Sequence, residues 1–251
     1  MERKNFLRAF VLAAATGPII LDGCKKDSVT KASTTTTGTS TTTTTTSTTG
    51  SCVTSPTEEE GPFPYPGGEI NDPLQRVDIT EETQTGVPLA LSFVVVNTND
   101  SCNVVTGARV DIWHCNKDGY YSGYANQDEA LGAQSYVGKT WLRGYQVSDS
   151  AGVIQFTTIY PGWYTGRATH IHLEIYINGV LKKTTQMAFP ESISNVVHVS
   201  SLYAAHGVNP VTNSADHVFG DSATDLANET LSLAGSVTDG YTGTHTVGIA
   251  L

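Results

Sequence analysis

Two histidines separated by one residue are the first side chains in this sequence that could do chemistry. His170 and His172 begin a run that reads HIHLEIYI. In a β-strand, residues i and i+2 share a face, so the two imidazoles would stand side by side while Ile171 faces a core. Neighbouring imidazoles can bind several transition metals. The histidines alone favour the other interpretation, a solvated polar strand face with two incidental histidines.

Tyrosines and further polar residues lie near the histidine pair in the sequence. Tyr164 and Arg167 precede the pair, Tyr121 follows an earlier predicted strand, and Gln186 lies on the strand predicted to pair with the histidine strand. A trivalent cation can remove the proton of a coordinating phenol. Two phenolates and two imidazoles would suit Fe(III). The neighbouring residues therefore favour a metal site over a solvated face.

The motifs that contain these residues resemble the intradiol ring-cleavage dioxygenases, the catechol and protocatechuate family. The similar segments are WHCNKDGYYS at 113–122, IYPGWY at 159–164 and RATHIH at 167–172. EGPF at 60–63 and LRG at 142–144 are similar to an exported branch of the family. The resemblance spans roughly residues 52–189. It implies an enzyme that cleaves a catechol-type ring between its two hydroxylated carbons with O2, giving a muconate-type diacid.

The resemblance also implies a ferric ion, Fe(3+), as cofactor and assigns its four protein ligands. Tyr121 would be the equatorial tyrosinate, and Tyr164 would be the axial tyrosinate that leaves the metal when substrate binds. His170 would be the equatorial histidine and His172 the axial one. The family pattern Gly-x-Tyr-Ser selects Tyr121 rather than Tyr120 as the ligand.

Three catalytic roles follow from the same resemblance. Arg167 would stabilise negative charge on the substrate, Gln186 would lie near the reacting ring, and Tyr164 would accept a substrate proton. Many relatives read Arg-Pro-Ala-His where this chain has RATH at 167–170, and the loop that starts at Tyr164 is short. That loop shapes the substrate pocket in relatives, so the aromatic substrate stays open.

Two other classes of protein are consistent with parts of this pattern. One is a catalytically inactive β-sandwich of the cell envelope that binds aromatic or carbohydrate ligands, because sandwich folds host many functions. The other is a copper or zinc protein that uses His170 and His172. The complete ligand set with Arg167 and Gln186 favours the enzyme over the binding module. The tyrosines at the motif positions argue against copper or zinc.

The spacing of short strands and turns predicts an all-β fold, a prealbumin-like β-sandwich with irregular loops and one short helix. Strands are predicted at 88–97, 108–114, 140–147, 153–159, 170–177 and 180–188, and a helix near 193–205. Asn178-Gly179 is a two-residue hairpin signal between the last two strands. The tail after Asn209, rich in Gly, Ser, Thr and Asp, would wrap the sandwich or form an edge.

The first part of the chain has a different composition from the rest. Residues 1–24 resemble a lipoprotein-type export signal that ends at Cys24, and 25–51 form a Thr/Ser-rich linker. The dioxygenase-like domain would then occupy 52–251. We expect an exported protein of the cell envelope, lipid-anchored at Cys24 or secreted, by a general secretory or twin-arginine route.

The charge balance limits the partners of the chain. The formal net charge is −10, from 14 basic and 24 acidic residues. Nucleic-acid binding depends on neutralising phosphates, so an acidic chain predicts no nucleic-acid partner. Expected partners are a small aromatic diol and O2, with membrane contact only through the anchor at Cys24. The oligomeric state stays open.

An oxidising compartment permits a disulfide bond. Cys52 and Cys102 both lie outside the predicted strands and are the favoured pair, which leaves Cys115 as a buried thiol. His114 ends a predicted strand, and a hydrogen-bonded structural role is favoured over a ligand role because buried polar groups usually find partners.

Overall fold

The fold was established from a computed structural model, which describes residues 52–65 and 74–251. The expected export signal, Cys24 and the Thr/Ser linker lie outside the described residues. None of the helices in the described ranges is long and apolar enough to cross a membrane.

The described residues form mainly β-strands. The strands are β1 (Pro88–Asn97), β2 (Asn103–Val104), β3 (Arg109–Trp113), β4 (Gln127–Glu129), β5 (Gly132–Gln134), β6 (Arg143–Val147), β7 (Val153–Ile159), β8 (His170–Ile177), β9 (Val180–Ala188), β10 (Ser232–Ser236) and β11 (Gly240–Ile249). The helices are α1 (Glu191–His198) and α2 (Ala223–Glu229), and a 3-10 turn spans Asn213–Ala215. The all-β class predicted from the sequence is confirmed.

Two sheets pack face to face. The first has the order β10-β11-β1-β2, with β7 also paired to β1, and the second has the order β6-β3-β8-β9. Strand β1 alternates buried Leu89, Leu91 and Phe93 with less buried residues, and β8 contributes Ile171 and Leu173 to the same hydrophobic core. In a β-sandwich, buried residues on the inner face of each sheet alternate along the strand with residues on the outer face. The apolar face predicted for the histidine strand is therefore its core face.

The six strands predicted from the sequence are all present. Two of them, β3 and β6, are shorter than expected, and the helix ends at His198 instead of near 205. The Asn178-Gly179 turn joins β8 to β9 with φ angles of 51° and 76°, as a two-residue hairpin requires. The hairpin places β9 beside the histidine strand.

The tail beyond Asn209 contributes two strands to the first sheet, one at its edge and one in its interior. Strand β10 does lie at the sheet edge, but β11 lies inside the sheet and pairs in parallel with β1 from Leu89↔Tyr241 to Asn97↔Ile249. Its sequence GYTGTHTVGI contains glycines and threonines between few apolar residues. The apolar alternation that signals a buried strand is therefore weak there.

A disulfide bond anchors the first described segment, residues 52–65, which we call the strap. Cys52 is bonded to Cys102 with a Cα–Cα distance of 5.7 Å, and Cys115 is a buried free thiol, as predicted. The strap then crosses the domain: Ser55 N donates to Gly248 O at 2.9 Å, and Glu58 N donates to Thr184 O on β9 at 3.0 Å. Beyond this point the strap enters the histidine site.

Candidate metal centre and active site

His170 and His172 point into a closed site, not into solvent. Both rings are buried, so the alternative interpretation of a solvated strand face is wrong. Their Nε2 atoms lie 3.0 Å apart. The carbonyl of Ala168 can only accept, so His170 Nδ1, at 2.6 Å, carries the proton and Nε2 keeps its lone pair. An accessible lone pair on Nε2 is what a metal ion requires.

Electrostatics keeps both imidazoles neutral. Burial, followed by the charge of Arg167, lowers the pKa of His170 to about 3. Burial, followed by the proximity of His170, lowers the pKa of His172 well below its ordinary value. Neutral imidazole is the form that binds metals.

The ring of His172 lies between an indole and the strap. Trp113, its cross-strand neighbour, stacks on it with ring centroids 4.9 Å apart and an interplanar angle of 3°. From the strap, Gly61 approaches so closely that a Cβ there would lie 2.8 Å from His172 Cε1. Gly61 has φ +79°, a conformation that favours glycine. His172 Nδ1 is buried and has no hydrogen-bond partner within the described residues.

Two loops bring Tyr121 and Tyr164 beside the histidines. Tyr121 N donates to Gln127 Oε1 at 2.6 Å, and Gln127 Nε2 donates back to Tyr121 O at 2.8 Å, which fixes the loop after β3. The Tyr164 ring lies 5.6 Å from Tyr121 and 5.4 Å from His170, and Tyr121 lies 6.1 Å from His172, measured between centroids. The two phenol rings and the two imidazole rings therefore form one cluster, in which each ring lies next to two of the others.

The two phenols differ in their hydrogen bonding. The Tyr164 hydroxyl accepts from Arg167 Nη1 at 3.2 Å. The Tyr121 hydroxyl is buried and has no partner within the described residues, which is costly for a polar group. Burial raises the pKa of Tyr164 to about 12 against the opposing charge of Arg167, and burial raises the pKa of Tyr121 well above its ordinary value. A phenolate here needs a strong cation.

The donor set fits a ferric ion. Two neutral imidazoles with Nε2 atoms in contact, an unpartnered phenol and a second phenol beside an arginine surround one place in the structure. A bound Fe(III) would satisfy these atoms, because it favours hard anionic oxygens and accepts imidazole nitrogen. Tyr121, Tyr164, His170 and His172 are the residues that would hold it.

Arg167 connects Tyr164 to the other predicted catalytic residue. Its Nη2 donates to Gln186 Oε1 at 2.6 Å, and its Nε donates to Asp216 Oδ2 at 2.9 Å. Gln186, the cross-strand neighbour of His172, donates from Nε2 to Glu59 O in the strap at 2.9 Å. The structure thus brings together all six residues that the sequence proposed for the site.

Two nearby residues have hydrogen-bonded structural roles, which was predicted for His114 and not for Tyr120. Tyr120 donates its hydroxyl proton to Gly132 O at 2.5 Å, away from the four rings. His114 bonds Cys115 O through Nδ1 at 2.8 Å and Thr158 Oγ1 through Nε2 at 2.7 Å. Both of its ring nitrogens are therefore occupied.

The strap contributes a wall that sequence reasoning missed. Phe63 stacks on Tyr121 with centroids 4.7 Å apart and meets Tyr164 edge-on at 5.6 Å. Its position is fixed by Arg143, whose Nη2 donates to Phe63 O at 2.9 Å, and by Tyr124, whose hydroxyl donates to Pro64 O at 2.5 Å. The segment EGPF was noted only for its resemblance. Its glycine beside a proline was the available signal of a close backbone approach.

Asp216 was also missed. It lies directly after the 3-10 turn, in the tail to which the sequence assigned no function. An aspartate in a polar tail carries no periodic or spacing signal that would connect it to Arg167.

Comparison with known proteins identifies similar sequences. A family model described as "Dioxygenase" matches residues 60–213. Catechol 1,2-dioxygenase 1 of Acinetobacter lwoffii is 28% identical over 150 residues, which cover 53% of this chain and 45% of that protein. Chlorocatechol 1,2-dioxygenase of Pseudomonas putida is 26% identical over 154 residues, or 54% of each chain. The chain thus spans about half the length of the curated relatives it matches.

One solved structure is similar to this chain over almost its whole length. The intradiol ring-cleavage dioxygenase from Tetranychus urticae is 29% identical and superimposes with a TM-score of 0.69, covering 79% of this chain and 95% of that one. The family match includes the four rings and Arg167 and extends over more than half of the sequence. The chain therefore belongs to the intradiol ring-cleavage dioxygenase family.

Proposed function

We propose that the chain is a non-haem Fe(III)-dependent dioxygenase that cleaves a catechol-type ring between its two hydroxylated carbons with O2. The product would be a muconate-type diacid. The catechol class is supported by the names of both curated relatives, a catechol and a chlorocatechol 1,2-dioxygenase.

One observation carries the proposal. The Nε2 atoms of two buried, neutral imidazoles lie 3.0 Å apart, beside a buried phenol of Tyr121 that has no partner in the described part of the chain. Polar groups buried without partners cost stability, and they persist where function uses them. A metal ion held by this set would give every one of these atoms a partner.

The reaction needs both a cation and proton transfer. A bound Fe(III) would act as a Lewis acid toward the two oxygens of the diol and make the ring reactive to O2. The Tyr164 oxygen, held 3.2 Å from Arg167 Nη1, would accept a proton from one substrate hydroxyl. Arg167 would remain beside the oxygen as a fixed positive charge while negative charge develops on the ring.

The other residues of the site would position the substrate and exclude water. Phe63 and Trp113 cover Tyr121 and His172 with aromatic faces. Gln186 joins Arg167 to the strap and would face the reacting ring. Fixed dipoles in such an enclosed site stabilise developing charge more strongly than water does.

An inactive binding module is not favoured by the same geometry. A ligand-binding sandwich gains nothing from a buried phenol that has no partner among the described residues, or from two buried imidazoles whose Nε2 atoms lie 3.0 Å apart. The cost of the buried, unpartnered hydroxyl, about 1 to 3 kcal/mol, would have no compensating function.

The decisive experiment is a visible absorption spectrum of the purified, iron-loaded protein before and after aerobic addition of catechol. We expect a broad tyrosinate-to-Fe(III) charge-transfer band that shifts on addition, followed by muconate absorbance. A band that shifts without product would refute catechol turnover and favour a binding role. A colourless protein with stoichiometric iron would show that the tyrosines are not ligands.

We also propose that the protein is exported to the cell envelope and anchored through Cys24. The Cys52–Cys102 disulfide supports this, because disulfide bonds persist mainly in oxidising compartments. Metabolic labelling with a fatty acid in the source cells would be expected to mark the wild-type protein and not a Cys24→Ser variant. Equal labelling of both would contradict the anchor.

A further inference from the structure

The carboxylate of Asp216 is buried and surrounded by N–H donors. Its Oδ2 accepts from Arg167 Nε at 2.9 Å and from Ala168 N at 2.6 Å. Its Oδ1 accepts from Val218 N at 2.8 Å and from Phe219 N at 3.3 Å. The side chains of Asp216 and Arg167 are 0% and 3% exposed, so the pair is an ion pair inside the protein. Asp216 also lies beyond the residues that the family model matches.

The ion pair fixes the direction of the Arg167 guanidinium. With Nε held by Asp216, the planar head must present Nη1 to the Tyr164 oxygen and Nη2 to Gln186, at 3.2 and 2.6 Å. A guanidinium donates in a fixed, planar pattern, so fixing Nε fixes the other two nitrogens. Loss of the carboxylate would free the head to rotate away from the Tyr164 oxygen.

The same carboxylate also fixes the peptide that orients a histidine. Asp216 Oδ2 holds the N–H of Ala168, and the carbonyl of Ala168 accepts from His170 Nδ1 at 2.6 Å. Asn209 supports this turn by donating from Nδ2 to Arg167 O at 3.0 Å. One oxygen atom therefore contacts both the arginine head and the backbone that sets the His170 tautomer. Groups behind a metal ligand commonly tune its orientation and basicity.

We infer that Asp216 is a positioning residue of the active site, which aims Arg167 at the Tyr164 oxygen and holds Ala168 against His170. This role rests on the proposed function, because it acts through a proposed catalytic residue and a proposed iron ligand. Asp216 itself would contact neither substrate nor metal, because both of its carboxylate oxygens accept from N–H groups of the protein.

Asp216→Asn is the most informative variant. Both carboxylate oxygens accept from N–H donors. In the asparagine variant one of these oxygens is replaced by an NH2 group, which would face N–H donors and could not accept from them. These unfavourable contacts would displace the Arg167 guanidinium. A misplaced catalytic group lowers rates by about 10- to 100-fold, so we expect such a loss in kcat with a smaller change in KM. We also expect a shifted charge-transfer band, because Arg167 would no longer hold the Tyr164 oxygen.

A readout in the iron-free protein is independent of turnover. The Arg167 Nε–H proton should exchange slowly with water in wild type, as measured by 15N NMR and assigned with Arg167→Lys. Asp216→Asn should lose this protection. The matched control is Asp111→Asn on strand β3, where the buried Asp111 carboxylate pairs with the partly exposed Arg109, whose Nη2 lies 2.6 Å away. The control should keep kcat, the band and the Arg167 Nε–H protection.

The outcomes separate this role from the proposed function. Wild-type kcat and an unshifted band in Asp216→Asn, or effects equal to those of Asp111→Asn, would overturn the positioning role while leaving the dioxygenase intact. A wild-type protein without band or product would refute the proposed function, and the role of Asp216 with it. If Asp216→Asn does not fold, Asp216→Glu retains the charge. Lost Nε–H protection in that variant with unchanged kcat would equally overturn the role.

Discussion

The backbone of Gly61 lies directly against the imidazole of His172, with space for a hydrogen atom but not for a methyl group. A Cβ on Gly61 would be 2.8 Å from Cε1 of the ring, and Trp113 blocks the ring from moving away on its stacked face. We expect Gly61→Ala to tilt His172 and to lower iron affinity by about 10- to 100-fold. Iron titration followed at the charge-transfer band measures this.

Gly107→Ala is the matched control for Gly61→Ala. Gly107 has the same φ of +79°, and a Cβ there would meet no atom within 4 Å. Both variants should lose about 1 to 2 kcal/mol from backbone strain, since a Cβ is disfavoured at this φ. Only Gly61→Ala should lose iron affinity, and equal affinities in both variants would contradict the steric argument.

Tyr121→Phe should separate stability from function. In the iron-free protein the variant removes a buried hydroxyl that has no partner among the described residues, so we expect the free energy of unfolding to rise by about 1 kcal/mol. The iron-loaded variant should lose or strongly shift its charge-transfer band. Chemical denaturation and visible spectroscopy on the same preparation test both.

The control for Tyr121→Phe is a tyrosine whose hydroxyl is satisfied. The Tyr203 hydroxyl donates to Tyr160 O at 2.6 Å and accepts from Val87 N at 3.1 Å. Tyr203→Phe should therefore lower the free energy of unfolding by about 1 to 2 kcal/mol and leave the colour unchanged. A loss of iron-free stability in Tyr121→Phe, in place of the expected gain, would argue against an unsatisfied phenol.

The carboxyl of Glu229 predicts a pH dependence of stability. Glu229 ends α2, is buried, and has Oε1 3.4 Å from the Thr185 hydroxyl. Burial, followed by the charge of Glu58, raises its pKa from 4.5 to about 8. The folded protein therefore keeps a proton that the unfolded chain releases, so this carboxyl makes stability fall as pH rises from 4.5 to 8.

Glu229→Gln tests this sign. The amide can donate to Glu58 as the protonated carboxyl does, and it does not ionise. The difference in melting temperature, variant minus wild type, should increase between pH 5 and 8 and reach several degrees. Glu82→Gln is the matched control for the loss of one acidic side chain at the surface. A difference for Glu229→Gln that stays constant across this range would contradict the shifted pKa.

The disulfide should contribute to stability through the strap. It closes a loop with a sequence separation of 50, for which the chain-entropy model gives about 4 kcal/mol. Cys52→Ser/Cys102→Ser should lose up to this amount and should speed amide exchange at Ser55 and Glu58, whose N–H groups bind the sheets. Reducing agent should lower the stability of wild type and not of this variant. An equal effect of reductant on the variant would show that the loss of stability in wild type does not come from this disulfide.

The site could be predicted where its residues occur in short local motifs. His170 and His172 share a strand face because of their spacing, and Tyr121 and Tyr164 stand in segments that resemble family motifs. What the sequence could not provide was burial. The polar face of β8 looked solvated because nothing local indicated that the strap and a loop with aromatic side chains would cover it.

The contacts that support the site were less predictable. Glu59, Phe63 and Asp216 reach the site through the backbone path of the strap and the tail, across long separations in sequence. Their roles depend on a carbonyl, a stacked ring and a buried carboxylate, none of which produces a periodic pattern. The interior position of β11 was missed for a related reason. Its few apolar residues are separated by Gly and Thr, so the sequence shows no apolar alternation of a buried strand.

The parallel pairing of β1 with β11 has a consequence for how the domain is made. One edge of β1 pairs with β2 and β7, but its other edge pairs with β11, so this sheet cannot close until most of the domain has been synthesised. Pairings between such distant segments make folding slow, because the entropy of closing the loop is lost before the stabilising contacts form. The strap hydrogen-bonds to Gly248 of the same final strand. Assembly of the proposed iron site should therefore be among the last events of folding, and metal loading should follow the pairing of β11 with β1.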